Sequence, residues 1–134
     1  MSVETNKAIV RHTHEAVSRH DLDAAGQYQS PAYAERWQAD KRGLQALFAA
    51  FPDGRWELED LVAEGDKVAV RDTFHGTHQG AFMGLPPTGR RVTIGGMHLF
   101  ALAEGQIVDH WNQRDQLGLM QQLGVVPTPE AGAW

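Results

Sequence analysis

His110, Asn112 and Arg114 stand two residues apart in the stretch GQIVDHWNQRD, Gly105 to Asp115. A strand has a side-chain period of two, so the three share one face of a sheet, while Asp109, Trp111 and Gln113 share the other. A plain half-buried strand has one apolar and one wet face; this stretch is polar on both. A histidine can move a proton near neutral pH, an amide can only hydrogen-bond, and an arginine can hold a carboxylate or carbonyl. The row has the parts for acid/base work beside a carbonyl.

Such a row needs a sheet to carry it and helices to cover it. Met1 to Arg19 reads as a helix, with Ile9, Val10, Ala16 and Val17 near helical spacing. Asp21 is the expected N-cap of a short second helix, and Pro31 breaks the chain after it. DKRGLQALFAAF continues as a helix, with Leu44, Leu47, Phe48 and Phe51 on one stripe, and FPDG ends it. Past Pro52, RWELEDLVA, KVAVRDTFHGTH, RRVTIGGMHLFALA and QIVDHWNQR read as strands. QLGLMQQLG closes the pattern as a short helix ending in Gly124. Helices first and an antiparallel meander after them predict an α+β fold in a single domain over residues 1–134, with a loose tail from about 125 in which only Trp134 stands out.

The joins AEGDKV and AEGQIV each place a glycine where a three-residue hairpin loop needs a left-handed residue. That loop pairs Phe100 with Val108, His98 with His110 and Gly96 with Asn112. One face then carries Ile94, Gly96, His98, Phe100, Val108, His110, Asn112 and Arg114. A two-residue turn would instead put Met97 opposite Asn112. On the earlier hairpin, Val68, Val70, Asp72 and Phe74 fall with Trp56 and Leu58, so Asp72 is an acid on an apolar face. Gly95 and Gly96, inside a strand, mark a bend or the close approach of another group.

Composition narrows the function further. The net charge is −5 with no basic run, against nucleic-acid binding, and cysteine is absent, which excludes disulfides and thiolate metal sites. The first thirty residues lack a signal-peptide core, and no apolar run nears the ~20 residues of a membrane span. The expectation is a soluble, cytoplasmic protein with no membrane partner. His12 and His14 diverge on a helix, His75 and His78 diverge on a strand, and HExxH is absent, so no metal is expected. The glycine-rich loop around Gly84 lacks the Lys-Ser/Thr of a P-loop.

The segment GTHQGAFMGLPPTGRRV followed by HLFALAEGQIVDHWNQRDQLGLMQQLG resembles the SnoaL-like polyketide cyclases of the NTF2-like superfamily, as do AVSRHDLDAA and AAFPDGRWELEDLVAEGDKVAVR. The resemblance covers nearly the whole chain. It implies a cone-shaped α+β barrel, helices over a curved antiparallel sheet, a closed pocket, and metal- and cofactor-free ring closure by intramolecular aldol condensation. The family histidine falls on His98. The family carboxylate falls on Asn112, and an amide cannot carry a proton. Between Tyr33 and Lys41 this chain is also shorter than the characterised cyclases, in a stretch that lines the family pocket.

Each candidate has a functional and a structural reading. His98 is a general base or a core histidine bonded to His110. Asn112 polarises a carbonyl or satisfies buried backbone. Asp72 replaces the missing acid, its pKa raised by burial, or pairs with Arg71 or Arg114. Arg114 holds a ligand or pairs with Asp109 or Asp115. Tyr33, Trp37 and Phe51 form an aromatic mouth or ordinary packing, while Phe100 and His110 complete the ligand face. Met97, Leu99 and Trp111, on the opposite face, point to a homodimer. The leading expectation is ring closure or isomerisation of a hydrophobic carbonyl small molecule. The alternatives are a non-catalytic small-molecule binder and an epoxide hydrolase, which needs two acids flanking an arginine.

Overall fold

The computed structural model describes residues 2–127. Helix α1 spans Val3–Ser18, capped by the Ser2 side chain, which accepts from the Thr5 N–H. Its buried residues, among them Asn6, Ile9, Val10, Thr13 and His14, recur at three and four, the spacing of one helix face. The Asp21 side chain caps α2, Leu22–Ala25. A 3₁₀ turn at Pro31–Tyr33 leads into α3, Ala34–Ala50, so this helix starts well before the expected DKRG. It stops before Pro52, whose ring disfavours helical backbone in the residue ahead of it.

Strands β1 (Arg55–Glu64), β2 (Lys67–Thr77), β3 (Arg91–Ala103) and β4 (Gln106–Arg114) form one antiparallel sheet in that order. The sheet is curved and the helices pack on it, as the α+β expectation required. Helix α4, Gln116–Gln122, follows, and Gly124, at φ 83°, ends it. The tail was expected to be loose from about 125. Within the described residues, the Val125 N–H bonds the Met120 carbonyl, and Gln121 Nε2 donates to the Pro127 carbonyl. Residue 128 onward, with Trp134, lies outside the described residues.

Both hairpin loops have two residues, not the expected three: Glu64 pairs with Lys67, and Ala103 with Gln106. In the second, Glu104 and Gly105 both have positive φ, 51° and 77°, as a type I′ turn needs. The tight turn alone would have moved His110, Asn112 and Arg114 to the outer face. A register shift between Ala101 and Leu102 reverses that. Val108 is the extra residue, and Ile107 is fully buried. The pairs are therefore His98–Asn112, Phe100–His110 and Gly96–Arg114. The face was foreseen; its pairing was two residues off.

Two apolar clusters sit on that face. One joins Ile9 and Val10 of α1 to Val68, Val70, Phe100, Leu102 and Ile107. The other joins Leu47, Ala50 and Phe51 to Phe74, Val92, Ile94, Leu119 and Leu123. Along β2 the inward row runs Val68, Val70, Asp72, Phe74, and along β3 it runs Ile94, Gly96, His98, Phe100. The polar residues lie where the two clusters meet.

Candidate active site

Asp72 is 3% exposed. An unpaired carboxylate there would be costly, and the surrounding elements supply two imidazoles. His14 Nε2, from α1, lies 2.8 Å from Asp72 Oδ2, and His98 Nε2, from β3, lies 2.9 Å from the same oxygen. His98 Nδ1 continues the chain to His110 Nε2 at 2.9 Å. Phe100 stacks on His110 with ring centroids 4.2 Å apart. Gly96 makes room at the sheet surface, since a Cβ there would sit 3.0 Å from Asp72 Oδ1. Gly95, marked with it in the sequence, has no such neighbour within 4 Å.

This overturns the expected state and partners of Asp72. Burial pushes its carboxyl up, but the hydrogen bonds from His14 and His98 outweigh burial and hold it down at about 2. It stays ionised, with no proton to give near neutral pH. Its partner is neither Arg71, which binds Asp60, nor Arg114. His110 is driven the other way: burial, the nearness of His98, and Arg36 and Arg114 lower it to about 3, so it stays neutral.

A cavity of about 300 Å³ opens beside this chain. Its walls include His14, Tyr33, Trp37, Asp40, Leu44, Leu47, Asp72, His98, Phe100, His110, Asn112 and Arg114. A smaller lobe of about 110 Å³ shares Gly43, Leu47, Trp56, Asp72, His98 and Arg114 and adds Phe74, Phe82 and Ile94. Tyr33 donates its hydroxyl to Asp40 at 2.7 Å. Burial and then this bond raise its pKa, so Tyr33 stays neutral. Among the described residues, no three His, Asp or Glu side chains are placed to share a metal ion.

Eight of the nine sequence candidates line the cavity. Phe51 does not: it is fully buried in the apolar cluster, edge-on to Phe74 and Phe82. Asn112 and Arg114 are exposed at the open side of the cavity, so Asn112 does not satisfy buried backbone. Asp109 is taken by Arg36 at 2.6 Å, and among the described residues nothing pairs with Arg114. The sequence reading missed His14. Its signal was present: His14 lies four residues after Val10 and three before Val17, on the inward face of α1. Asp40 was also missed.

On the outer face Trp111, Met97 and Leu99 are 47%, 58% and 39% exposed. Leu99 lies opposite Trp111 in the register.

Comparison with known proteins identifies the family and the fold. Residues 7–123 match the SnoaL-like polyketide cyclase family. Over 113 residues the chain is 34% identical to the aklanonic acid methyl ester cyclase DnrD of Streptomyces peucetius, covering 78% of this chain and 77% of that one. Among solved structures, the candidate hydroxylase AclR of Streptomyces galilaeus superposes with a TM-score of 0.86 at 30% identity, over 97% of this chain and 87% of that one. The candidate polyketide cyclase IdmH of Streptomyces antibioticus superposes with a TM-score of 0.76 at 28% identity, over 90% and 99%. With the family matched across most of its length, this chain belongs to the SnoaL-like polyketide cyclases.

Proposed function

We propose that this chain is a cofactor-free cyclase that closes a ring in a polyketide by intramolecular aldol addition. One observation carries the reading: an ionised, buried aspartate holds a histidine at the wall of a cavity with aromatic walls. The Asp72–His98 pair is a proton store. When a proton is removed from the carbon beside a carbonyl, His98 gains it as an imidazolium facing the Asp72 carboxylate. The enolate attacks the second carbonyl carbon, a C–C bond forms, and the resulting alkoxide takes the proton back. Asn112, directly opposite His98, and Arg114 offer N–H donors to the developing oxygen charge at the open side. Asn112 thus replaces the proton-carrying role of the family carboxylate with hydrogen bonding.

Aklanonic acid methyl ester, the compound named for several relatives, is the first substrate to test. His98→Gln keeps a similar volume and should lower turnover by ~10²–10⁴-fold, with ligand affinity within a few-fold. Full turnover by that variant refutes the reading. Asn112 favours one rival, a binder without chemistry: saturable binding of the ester by a protein that never converts it would establish that rival. Epoxide opening is less well supported, because Asp72 is held by histidines and Asp40 by Tyr33, and neither flanks Arg114 as a pair.

The proposal includes a cytoplasmic homodimer formed through the outer face. A lone chain would leave Met97, Leu99 and Trp111 as an apolar patch. Light scattering at micromolar concentration should give twice the mass of the chain; a monomer there removes the dimer from the proposal.

A further inference from the structure

His98 cannot take a substrate proton directly while the network is intact. Both of its ring nitrogens are occupied, Nε2 by Asp72 and Nδ1 by His110. A carboxylate only accepts hydrogen bonds, so His14 and His98 each present an Nε2–H to Asp72 Oδ2. Neutral His98 then has a bare Nδ1, and His110 must donate its Nε2–H to it. That fixes the tautomer of His110 and leaves its own Nδ1 as a lone pair. The atom has no hydrogen-bond partner among the described residues, and it is not one of the buried unpartnered atoms. His110 itself lines the larger lobe of the cavity.

We infer that His110 Nδ1 is the port through which substrate protons enter and leave, with His98 as the place where the charge rests. The inference rests on the cyclase reading and deepens it. The substrate C–H bond breaks toward His110 Nδ1 while the His110 Nε2 proton passes to His98 Nδ1. His110 ends neutral with its tautomer exchanged, and His98 ends as an imidazolium between Asp72 and His110. After the new C–C bond forms, the alkoxide takes the proton from His110 Nδ1 and the shift runs backward. No proton is gained or lost over the cycle. His14 is a positioning residue: its bond to Asp72 fixes the carboxylate that sets the first tautomer in the row.

The surroundings favour passing a proton on over holding it at His110. Its neighbours in charge are Arg36 from α3, Asp109 and Arg114 from β4, and His98 from β3. Arg36 donates to the His110 carbonyl oxygen and to Asp109, which places its charge close by. On the other side, Asp72 attracts a charge placed on His98. A cation at His110 would face arginines, while a cation at His98 faces a carboxylate.

Two experiments test the port. The first needs no substrate: ¹⁵N NMR of the imidazoles in the whole protein through a pH titration. His98 should gain its second proton while His110 stays neutral and moves its proton from Nε2 to Nδ1. A His110 that keeps its proton on Nε2 throughout, or becomes a cation before His98 does, overturns the inference. The second uses His110→Ala in the aklanonic acid methyl ester assay. Turnover should fall ~10²–10⁴-fold and be restored by added imidazole, more strongly by more basic methylimidazoles. A variant with full turnover, or one that loses it with no response to any imidazole, refutes the port. If His98→Gln is inactive while His110→Ala turns over at full rate, only the port falls. If both keep full rate, the cyclase reading falls with it.

Discussion

His78 is buried and His98 is half-buried, both contributed by the sheet region, but their partners differ in kind. His78, just past the end of β2, is fully buried. Its Nδ1 accepts the Thr88 N–H at 3.1 Å and contacts Thr88 Oγ1 at 3.0 Å, and its ring lies against Phe51. Its main chain bonds Arg90 and Gly89. Every one of those contacts is neutral and closes the loop between β2 and β3. His98 sits among a carboxylate and two further imidazoles, beside a cavity. The difference shows that a buried histidine becomes a candidate for chemistry when a charge partner can stabilise its second proton and an open edge can deliver that proton. Without those, it is a bracket for the backbone.

Asp72→Asn is the sharpest way to break the contrast. The amide keeps the shape but removes the charge that faces an imidazolium at His98. Turnover should drop by ~10²–10⁴-fold, comparable to His98→Gln. The acid stability should change as well. Because the folded-state pKa of Asp72 is depressed from 3.8 to about 2, its ionised form adds stability above pH 4 that is lost as the pH falls toward 2, an amount of roughly 2 kcal/mol. Acid unfolding followed by circular dichroism should show that loss in the native protein and not in the variant. An unchanged acid limb together with unchanged turnover would make Asp72 a bracket like His78.

His78→Phe probes the other side. It removes the acceptor of the part-buried hydrogen bond from the Thr88 N–H. The expected cost is about 0.5–1.5 kcal/mol in thermal or urea unfolding. The pH dependence of turnover should not move, since no atom of this corner belongs to the His14–Asp72–His98–His110 chain. A shifted pH profile in this variant would mean that the loop corner and the site are coupled.

Much of the His98 face could be read from the sequence, and the limits have physical causes. The alternation in GQIVDHWNQRD and the glycines of the hairpins placed His98, His110, Asn112 and Arg114 on one face. The pairing failed because the glycine of AEGQIV fits both a three-residue loop and a type I′ turn, and the bulge at Val108 is set by packing of Ile107 into the core. Asp72 was found as an acid on an apolar face, but its partners lie far along the chain: His14 is 58 residues away and His98 is 26. Strand periodicity says nothing about which helix packs above a sheet position, so the sign of the Asp72 shift was out of reach. Phe51 was misplaced for a similar reason. A helix-end aromatic can face a pocket or the core, and only the packing against Phe74 and Phe82 decides it.

Asn112→Asp should have the smallest effect, and its direction is the most informative. Asn112 lies directly across from His98 but is exposed, so a carboxylate there would remain solvated and would cost little stability. It would put back the group that the family pattern places at this position. It would also set a second negative charge near His98, which favours the imidazolium formed when the enolate appears. Turnover of the ester should be preserved or rise by a few-fold, measured as kcat with KM followed separately. A fall of more than about tenfold would show the opposite: the amide N–H is itself used, as a donor to the carbonyl oxygen that a carboxylate cannot replace. In that case Asn112 is a working part of this chain's own mechanism, and the aspartate variant should bind the ester as well as the native protein does while converting it more slowly.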